Sequence, residues 1–393
     1  MVPEGWEKAR FEEVTRIANG QVDPKVEPYS SMLHIGPENV TSHSGQLSGC
    51  KTGKELGLIS GKYEFDEQAI VYSKIRPNLN KVCRPKFHGL CSADMYPIWA
   101  NQGLDIDYLY HYMLSPGFFK TAIAMSMRTG MPKINRSDLN AVRIVLPPLP
   151  EQKKIAQILS TWDQAITATE RLLENSQQRK KGLMQQLLTG KKRLPGFEGE
   201  WEYVRLKELL TEEKTRNKDL SISRVLSVTN HSGFVLPEDQ FSKRVASDNV
   251  SNYRVVRKGQ YGYNPSRLNV GSFARLDRYD EGLLSPMYVV FSVDETRLNN
   301  DYFLNWMKSN EAKQRIAGST QGSVRDSVGF DALCSFPFRL PPIDEQQEIA
   351  KVLTISDQEI DSLKQRISCL QQEKKALMQQ LLTGKRRVQV EAA

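Results

Sequence analysis

Two segments of the chain carry the same long helical pattern of apolar positions. Within each segment these positions recur in alternating steps of four and three residues, and the second segment follows the first at an offset of 194 residues. The positions are Ile155, Leu159, Trp162, Ile166, Thr169, Leu173, Ser176, Lys180, Leu183 and Leu187, and then Ile349, Leu353, Ser356, Ile360, Leu363, Ile367, Leu370, Lys374, Leu377 and Leu381. Such spacing is typical of a coiled-coil seam. It predicts two long helices that pair with each other.

The ends of both helices are marked by local signals. A Leu-Pro-Pro sequence that cannot be helical precedes each pattern, and Pro150 and Asp344 then stand at an N-cap or first-turn position. Gly190 and Gly384 stand where a C-cap glycine belongs. A helix of about 38 residues rises about 57 Å at roughly 1.5 Å per residue. Such a helix needs a partner to cover its apolar stripe, and the other copy is the natural one.

The helical segments are copies of each other. Residues 146–193 align without a gap on residues 340–387, with 25 identities in 48 positions. Lys180 and Lys374 occupy the same slot of the seam, where a polar residue fixes register or orientation. The offset extends more weakly into the preceding segments, where Arg76 and Asn78 match Arg267 and Asn269, so the chain is a duplicated domain pair.

The segments before the helices mix strands and helices. Short apolar runs predict strands at 69–72, 96–99, 254–256 and 287–291, and helices are predicted at 107–114 and 301–308. The predicted fold class is therefore α+β: two α+β domains separated by two long helices that form an antiparallel coiled coil, with pseudo-twofold symmetry. The predicted boundaries are 1–145 and 196–339 for the domains, 146–195 and 340–387 for the helices, and 388–393 for a tail.

Composition and charge narrow the functional class. The 393 residues include 39% hydrophobic and 25% charged side chains, which is typical of folded proteins. We expect a cytoplasmic chain because no signal peptide or membrane-spanning run is present, and the five cysteines contain no CxxC pair that would favour a zinc site. The formal charge of +8 allows a polyanionic partner. Most of the excess lies on the helical segments, with 9 basic and 4 acidic residues in 151–193 and 8 and 6 in 345–387.

Catalytic motifs are represented only by near-misses. The sequence at 45–52 has the wrong spacing for a phosphate-binding loop. The sequence at 263–266 lacks the second proline and the aromatic residue of the Asn-Pro-Pro-aromatic motif of amino-methyltransferases, and the five histidines show no metal-ligand spacing. We therefore expect no cofactor or metal site in this chain.

The domain loops instead carry the side chains that read base edges. Arginine bonds bidentately to guanine and Asn or Gln to adenine, while Lys and Ser serve phosphates. The candidates in the first domain are Lys74, Arg76, Asn78, Lys81, Arg128, Lys133, Asn135 and Arg136. Those in the second domain are Asn264, Ser266, Arg267, Asn269, Arg275, Gln321, Ser323 and Arg325. Any one of them could be a solvated turn residue, but as a set at matching places in both copies they favour contact with DNA.

The helical segments also carry a family resemblance. The Leu-Pro-Pro sequence, the Glu-Gln that follows it at 151–152 and 345–346, and the Gln-Gln-Leu-Leu-Thr-Gly-Lys ending resemble the conserved regions of the specificity (S) subunit of type I restriction-modification enzymes. The resemblance covers the whole order of target recognition domain, helix, target recognition domain and helix. It implies a non-catalytic subunit in which the helices are a rigid spacer and each domain reads half of an interrupted double-stranded DNA target.

The same resemblance implies partners and a division of cofactors. Two methyltransferase (M) subunits would bind S-adenosylmethionine, and two restriction (R) subunits would use ATP and magnesium, with no role for a membrane. Two alternatives remain at this stage. One is a nuclease or methyltransferase with degenerate motifs, and the other is a stand-alone DNA-binding or scaffold protein with a coiled-coil spacer.

Overall fold

The computed structural model describes residues 2–126, 132–240, 249–320 and 327–390. The chain divides into two compact units, the first formed by residues 1–170 and 365–393 and the second by residues 171–364. Each unit therefore combines one α+β domain with a part of each long helix.

The first domain contains two four-stranded sheets. Its elements are β1 (Glu7–Arg10), α1 (Phe11–Val14), β2 (Thr15–Ile17), β3 (Leu33–Ile35), β4 (Lys51–Thr52), β5 (Tyr63–Phe65), β6 (Ile70–Ser73), β7 (Val82–Cys83), β8 (Gly89–Cys91), β9 (Met95–Ala100), α2 (Ile106–Leu114), α3 (Pro116–Ser126), α4 (Arg136–Asn140) and β10 (Arg143–Leu146). One sheet has the antiparallel order β2-β9-β6-β7, and the other has the order β4-β3-β8-β5 with β3 parallel to β8. Strand β1 pairs with β10, which places the start of the domain beside its end.

The second domain follows the first long helix, α5 (Leu149–Leu187). Its elements are β11 (Glu202–Arg205), β12 (Leu210–Glu212), β13 (Ser227–Thr229), β14 (Gly233–Val235), α6 (Pro237–Gln240), β15 (Arg254–Arg257), β16 (Tyr261–Tyr263), β17 (Phe273–Arg275), β18 (Glu281–Leu284), β19 (Val289–Val293), α7 (Asn300–Met307), α8 (Asn310–Thr320), α9 (Phe330–Cys334) and β20 (Pro337–Leu340), followed by the second long helix α10 (Ile343–Leu381). The sheet β12-β19-β16-β17 corresponds to β2-β9-β6-β7, and β11 pairs with β20 as β1 does with β10. The predicted α+β class and the repeat are confirmed.

The two helices pair antiparallel within each unit. In the first unit, the Lys374 Nζ at the end of α10 lies 2.5 Å from the Asp163 Oδ1 near the start of α5. In the second unit, the Lys180 Nζ lies 2.5 Å from the Asp357 Oδ2. Every predicted seam side chain is buried or partly buried. The two seam lysines therefore define the register through a repeated ion pair, which explains a polar residue at that slot.

The ends of the helices agree with their sequence signals. Helix α5 begins at Leu149 and α10 at Ile343, directly after the proline pairs. Gly190 and Gly384 adopt φ values of +71° and +67°, a conformation that glycine reaches without the penalty of a Cβ.

Each domain has its own core, which continues onto the helices of the same unit. Phe11, Tyr72 and Tyr108 are almost fully buried in the first unit, and Tyr263 and Tyr302 occupy the matching buried positions of Tyr72 and Tyr108 in the second. Burying such large side chains contributes about 1.5–3 kcal/mol each, which fixes the sheets from which the loops project. No helix in the described parts of the chain is long and apolar enough to span a membrane.

Candidate nucleic-acid interface

In each unit, the loop that joins two strands of the four-stranded sheet carries predicted contact residues. The loop between β6 and β7 contains a 3₁₀ turn at Pro77–Leu79, and the loop between β16 and β17 contains one at Pro265–Arg267. A proline at the first position suits such a turn, because its φ is already fixed near the helical value. The Asn264 side chain caps the second turn by accepting a hydrogen bond from the Ser266 N–H at 3.0 Å.

The two loops differ in backbone conformation. Arg76 immediately precedes its turn and has a φ of +47°, in the left-handed region that a residue with a Cβ rarely adopts. Arg267 is instead the last residue of its turn. The two arginines align in the sequence but do not occupy equivalent places in the turns. The left-handed backbone of Arg76 is the kind of strain that is typical of residues held in place by a functional site.

In the first unit, a second predicted loop group lies next to the first. The Arg76 N–H donates to the Pro132 carbonyl at 2.9 Å, and the Ile134 N–H donates to the Lys74 carbonyl at 2.9 Å. In the second domain, the Val328 N–H donates to the Pro265 carbonyl at 3.0 Å. The structure thus brings together two predicted loop groups of the first domain that are more than 50 residues apart in the sequence, and it places Val328 beside the β16–β17 loop of the second domain. These adjoining loops form one surface per domain.

Six of the predicted residues project from these surfaces into solvent. They are Arg76, Asn78 and Lys133 in the first domain and Ser266, Arg267 and Asn269 in the second. Within the described part of the chain none of their side chains has a hydrogen-bond or ion-pair partner. Their donors and acceptors are therefore available to a ligand. Asn135 is also exposed, at the N-cap of α4.

Other predicted residues are engaged within the first domain. The Arg136 guanidinium donates to the carbonyls of Ile17 and Ala18 at 3.1 and 2.5 Å and lies over the Tyr96 ring. The Lys74 ammonium lies over the same Tyr96 ring, 5.1 Å from the ring centroid. The Lys81 ammonium donates to the Pro37 carbonyl. These cations hold the loops in place.

Arg275 has the same internal role in the second domain. Its guanidinium is paired with the carboxylates of Asp277 at 2.6 Å and Asp301 at 2.7 Å. Burial by itself lowers the pKa of Arg275, but the hydrogen bonds to Asp277 and Asp301 outweigh burial and raise the pKa above its ordinary value, so the guanidinium stays charged. The Asn264 amide lies 3.9 Å from the Met287 sulfur. The four remaining predicted residues, Arg128, Gln321, Ser323 and Arg325, lie outside the described residues.

Two apolar residues beside the second surface were missed by the sequence analysis. Val270 is 60% exposed and follows Asn269 in the loop, and Met287 is 62% exposed next to Asn264. Val270 could have been identified from the sequence, because it is an apolar residue at the tip of an otherwise polar loop. Such side chains can contact the methyl group of thymine, which polar residues do not recognise.

The Glu-Gln pair at the start of each long helix fixes the helix to the domain of its unit. The buried Glu151 carboxylate accepts hydrogen bonds from the Arg387 guanidinium, at 2.9 Å from its Nε, and from the Trp6 indole at 3.3 Å. We call Trp6, Glu151 and Arg387 the first carboxylate cluster. The adjacent Gln152 side chain accepts from the Asp105 N–H at 2.8 Å and donates to two backbone carbonyls.

The second unit repeats this arrangement. The Glu345 carboxylate accepts from the Arg193 Nε at 2.6 Å, the Arg193 Nη2 at 2.7 Å and the Trp201 indole at 2.9 Å, and we call these three residues the second carboxylate cluster. Gln346 accepts from the Asn299 N–H at 2.8 Å, as Gln152 does from its own capping residue. The repeated motif therefore holds the loop-bearing domain at a fixed place on its helix pair.

The described His, Cys, Asp and Glu side chains do not cluster as metal ligands. Among the residues that the structure describes, no group of three or more His, Cys, Asp or Glu side chains could hold an ion. The five cysteines are free thiols, and burial raises the pKa of Cys91 well above its ordinary value, which keeps it protonated. The clusters above are ion pairs that hold helices and domains together.

Comparisons with known proteins agree with this arrangement. The sequence profile described as the type I restriction modification DNA specificity domain matches residues 3–175 and 241–372. The specificity subunit of the type I restriction enzyme EcoDI from Escherichia coli is 37% identical over 187 residues, which are 48% of this chain and 41% of that relative. The chain thus spans less than half of that protein. The MjaVIII specificity subunit of Methanocaldococcus jannaschii is 24% identical over 98% of this chain and 94% of its own length.

Solved structures share the fold at low sequence identity. A chain from a structure of type I R-M complex assembly and conformational transition has a TM-score of 0.61 at 19% identity, and covers 98% of this chain and 100% of its own. The S subunit from M. genitalium has a TM-score of 0.58 at 14% identity, with 96% of each chain covered. Because the profile matches most of the residues and the repeated fold agrees with it, the chain belongs to the type I restriction modification DNA specificity domain family.

Proposed function

We propose that this chain is the DNA sequence-specificity subunit of a type I restriction-modification complex and has no catalytic role of its own. The observation that carries the proposal is the pair of loop surfaces. Each surface has exposed Arg and Asn side chains and projects from the corresponding four-stranded sheet of its own domain. Each surface would read one half of an interrupted DNA target. The loops differ in sequence and in backbone conformation, so the two halves would have different base sequences.

The exposed residues divide by chemistry into readers and anchors. Arg76, Asn78, Arg267 and Asn269 can bond base edges bidentately, because their planar groups match guanine and adenine in the major groove. Lys133 is a point charge that suits a phosphate. The paired Arg136 and Arg275 would shape the surface without reading bases, since their donors are already used.

The partners follow from the family. The chain would recruit two methyltransferase subunits, which bind S-adenosylmethionine, and two restriction subunits, which use ATP and magnesium. Its place would be the cytoplasm, where the host DNA lies. The repeated helix pair offers each partner type two similar docking positions, which supports two copies of each.

The test is a pair of single substitutions in the complex with its methyltransferase subunits. Arg76→Ala and Arg267→Ala should each lower affinity for the cognate duplex by about 1–3 kcal/mol, which is about 5- to 150-fold, and should each relax only one half-site. Methylation mapping by single-molecule sequencing identifies the half-site, and fluorescence anisotropy measures affinity. Each variant is the matched control for the other.

Two results would refute parts of the proposal. A uniform loss of affinity for all duplexes would assign the arginine to phosphate contact, and no loss would remove it from the interface. A wild-type complex that fails to discriminate any duplex would favour a scaffold protein instead.

A further inference from the structure

A cavity of about 880 Å³ in the second unit is lined by many cations and few anions. It lies between the last turns of α5 and the corner where α7 meets α8. Its charged lining comprises Lys180, Lys181, Lys191, Lys308 and Lys313, with Glu311 as the single carboxylate.

Most of these charges have no counter-ion. The Lys180 ammonium is bound to Asp357, and the Glu311 carboxylate lies 2.6 Å from the Arg315 Nη2. The other four lysines have no ion pair with any residue that the structure describes. Ammonium groups that share a cavity without counter-ions repel one another, and a bound anion would remove this cost.

Lys308 is a partly buried member of this group of cations. Partial burial and the neighbouring Lys180 ammonium lower the pKa of Lys308, and the more weakly acting Asp357 raises it. Helix α8 begins at Asn310 on the same side of the cavity, and its first free N–H groups add positive potential. The lining thus offers both charge and hydrogen-bond donors to an anion.

The corresponding cavity of the first unit differs in charge. It measures about 850 Å³, and Lys374 and Lys375 occupy the positions of Lys180 and Lys181 in the repeat. Its lining also contains three carboxylates, from Asp107, Asp163 and Glu170. Two of them are paired with cations of the same cavity, at 2.7 Å from the Arg84 Nη1 and 2.5 Å from the Lys374 Nζ. The unbalanced charge therefore belongs to the second cavity and not to the helix repeat as such.

We propose that the second cavity binds a phosphate group, supplied either by the DNA backbone or by a free phosphate anion. In the first case the site rests on the proposed DNA function and adds an anchor that is blind to base sequence, beside the domain that reads bases. In the second case the chain has an anion ligand of its own. Lys181 and Lys313 are the groups to test, because both are exposed and unpaired and hold no other residue in place.

The experiment compares three variants of the full chain, prepared with its methyltransferase subunits for the DNA measurements. Lys181→Gln/Lys313→Gln removes both charges, Lys181→Arg/Lys313→Arg keeps them, and Lys375→Gln removes the matching charge of the first unit. Affinity for cognate and unrelated duplexes is measured over a range of salt concentrations. In parallel, the Tm of the full chain alone is measured in phosphate-free buffer with sodium pyrophosphate or with sodium chloride at equal ionic strength.

The DNA source and the free anion give different results. Each phosphate contact contributes about 0.9 to the slope of log K against log salt, so the double Gln variant should lose about 1–2 from this slope with its sequence discrimination unchanged. An unchanged slope, together with a pyrophosphate-induced rise in Tm that the double Gln variant lacks, would assign the site to a free anion. The double Arg variant should behave as wild type in both measurements.

Other outcomes overturn the inference. It is wrong if the double Gln variant matches wild type in both measurements, or if Lys375→Gln produces the same loss. A wild-type complex without any sequence discrimination would refute the proposed DNA function, while the pyrophosphate measurement would still decide whether the cavity binds an anion.

Discussion

Removing Arg193 should destabilise the second unit strongly, because it leaves a carboxylate buried without its cation. The Glu345 side chain is completely buried, and the Arg193 side chain that covers it is only 23% exposed. In Arg193→Met the stem still packs, but both guanidinium bonds to the carboxylate are lost. The Trp201 indole remains as the partner that the structure shows for Glu345.

The magnitude follows from the burial of the carboxylate. Removing one partner of a buried ion pair costs about 3–5 kcal/mol, because the remaining charge is neither solvated nor neutralised. A loss of 1 kcal/mol lowers Tm by about 2–4 °C for a folded unit of this size, so the expected fall is about 6–20 °C. Replacing both partners, in Arg193→Met/Glu345→Gln, should restore most of this loss, since no buried charge is left.

The first carboxylate cluster supplies the matched control. There the Arg387 side chain is 44% exposed and the Glu151 side chain is 6% exposed, so water can replace part of the lost interaction. Arg387→Met should therefore lower Tm less than Arg193→Met. Scanning calorimetry of the full chain measures both. Equal falls in Tm for the two variants, or a stability loss below 1 kcal/mol in Arg193→Met, would show that burial of the carboxylate does not determine the energy of the ion pair.

Three further predictions concern acid stability, base recognition and the repeat. Burial lowers the pKa of His111 to about 3, so the folded protein should lose about 1.4 kcal/mol of stability per pH unit as the pH falls below about 6.5. His111→Gln should remove this slope, which calorimetry between pH 7.5 and 5 would measure. Burial raises the pKa of Asp163, and this carboxyl opposes the loss of stability only at the acid end of the range. If Val270 contacts a thymine methyl group, which uracil lacks, Val270→Ser should abolish the preference for thymine over uracil in the second half-site. Fluorescence anisotropy with single uracil substitutions measures this preference, and its absence in the wild type would contradict the methyl contact. Residues 1–193 contain Glu151 of the first carboxylate cluster and Arg193 of the second. Because Arg193 of one copy can take the place of Arg387 beside Glu151 of the other, this fragment should dimerise and direct methylation to a palindrome, and a monomeric mass would contradict the prediction.

The helices could be predicted closely because their information is local. Seam spacing, prolines and terminal glycines each act within a few residues, so the bounds of α5 and α10 follow from the sequence. The strands of the second sheet of the first domain could not be predicted in this way. Strand β4 has two residues and β3 three, and such strands exist only because distant segments pair with them.

The site was predictable in composition but not in detail. The sequence indicated two loop groups in each domain, and in the first domain the structure places the described members of both groups side by side. It could not separate Arg76, which is exposed, from Arg275, which is bound to two carboxylates, because that depends on Asp301 on a separate helix. The Glu-Gln pair stands out in the sequence as part of the family resemblance, but its buried contacts to the domain depend on tertiary packing and cannot be predicted from that motif.

The duplication separates what is repeated from what has diverged. The carboxylate clusters, the seam ion pairs and the four-stranded sheet recur in both units, so each domain is held on its helices in the same way. The loops do not recur: Arg76 precedes its turn in a left-handed conformation, while Arg267 ends its turn. Two arginines that leave the backbone at different points of a turn cannot present the same geometry to a base pair. A repeated frame with divergent loops is what an asymmetric, two-part DNA target requires, since the frame must be constant while each half-site is read separately.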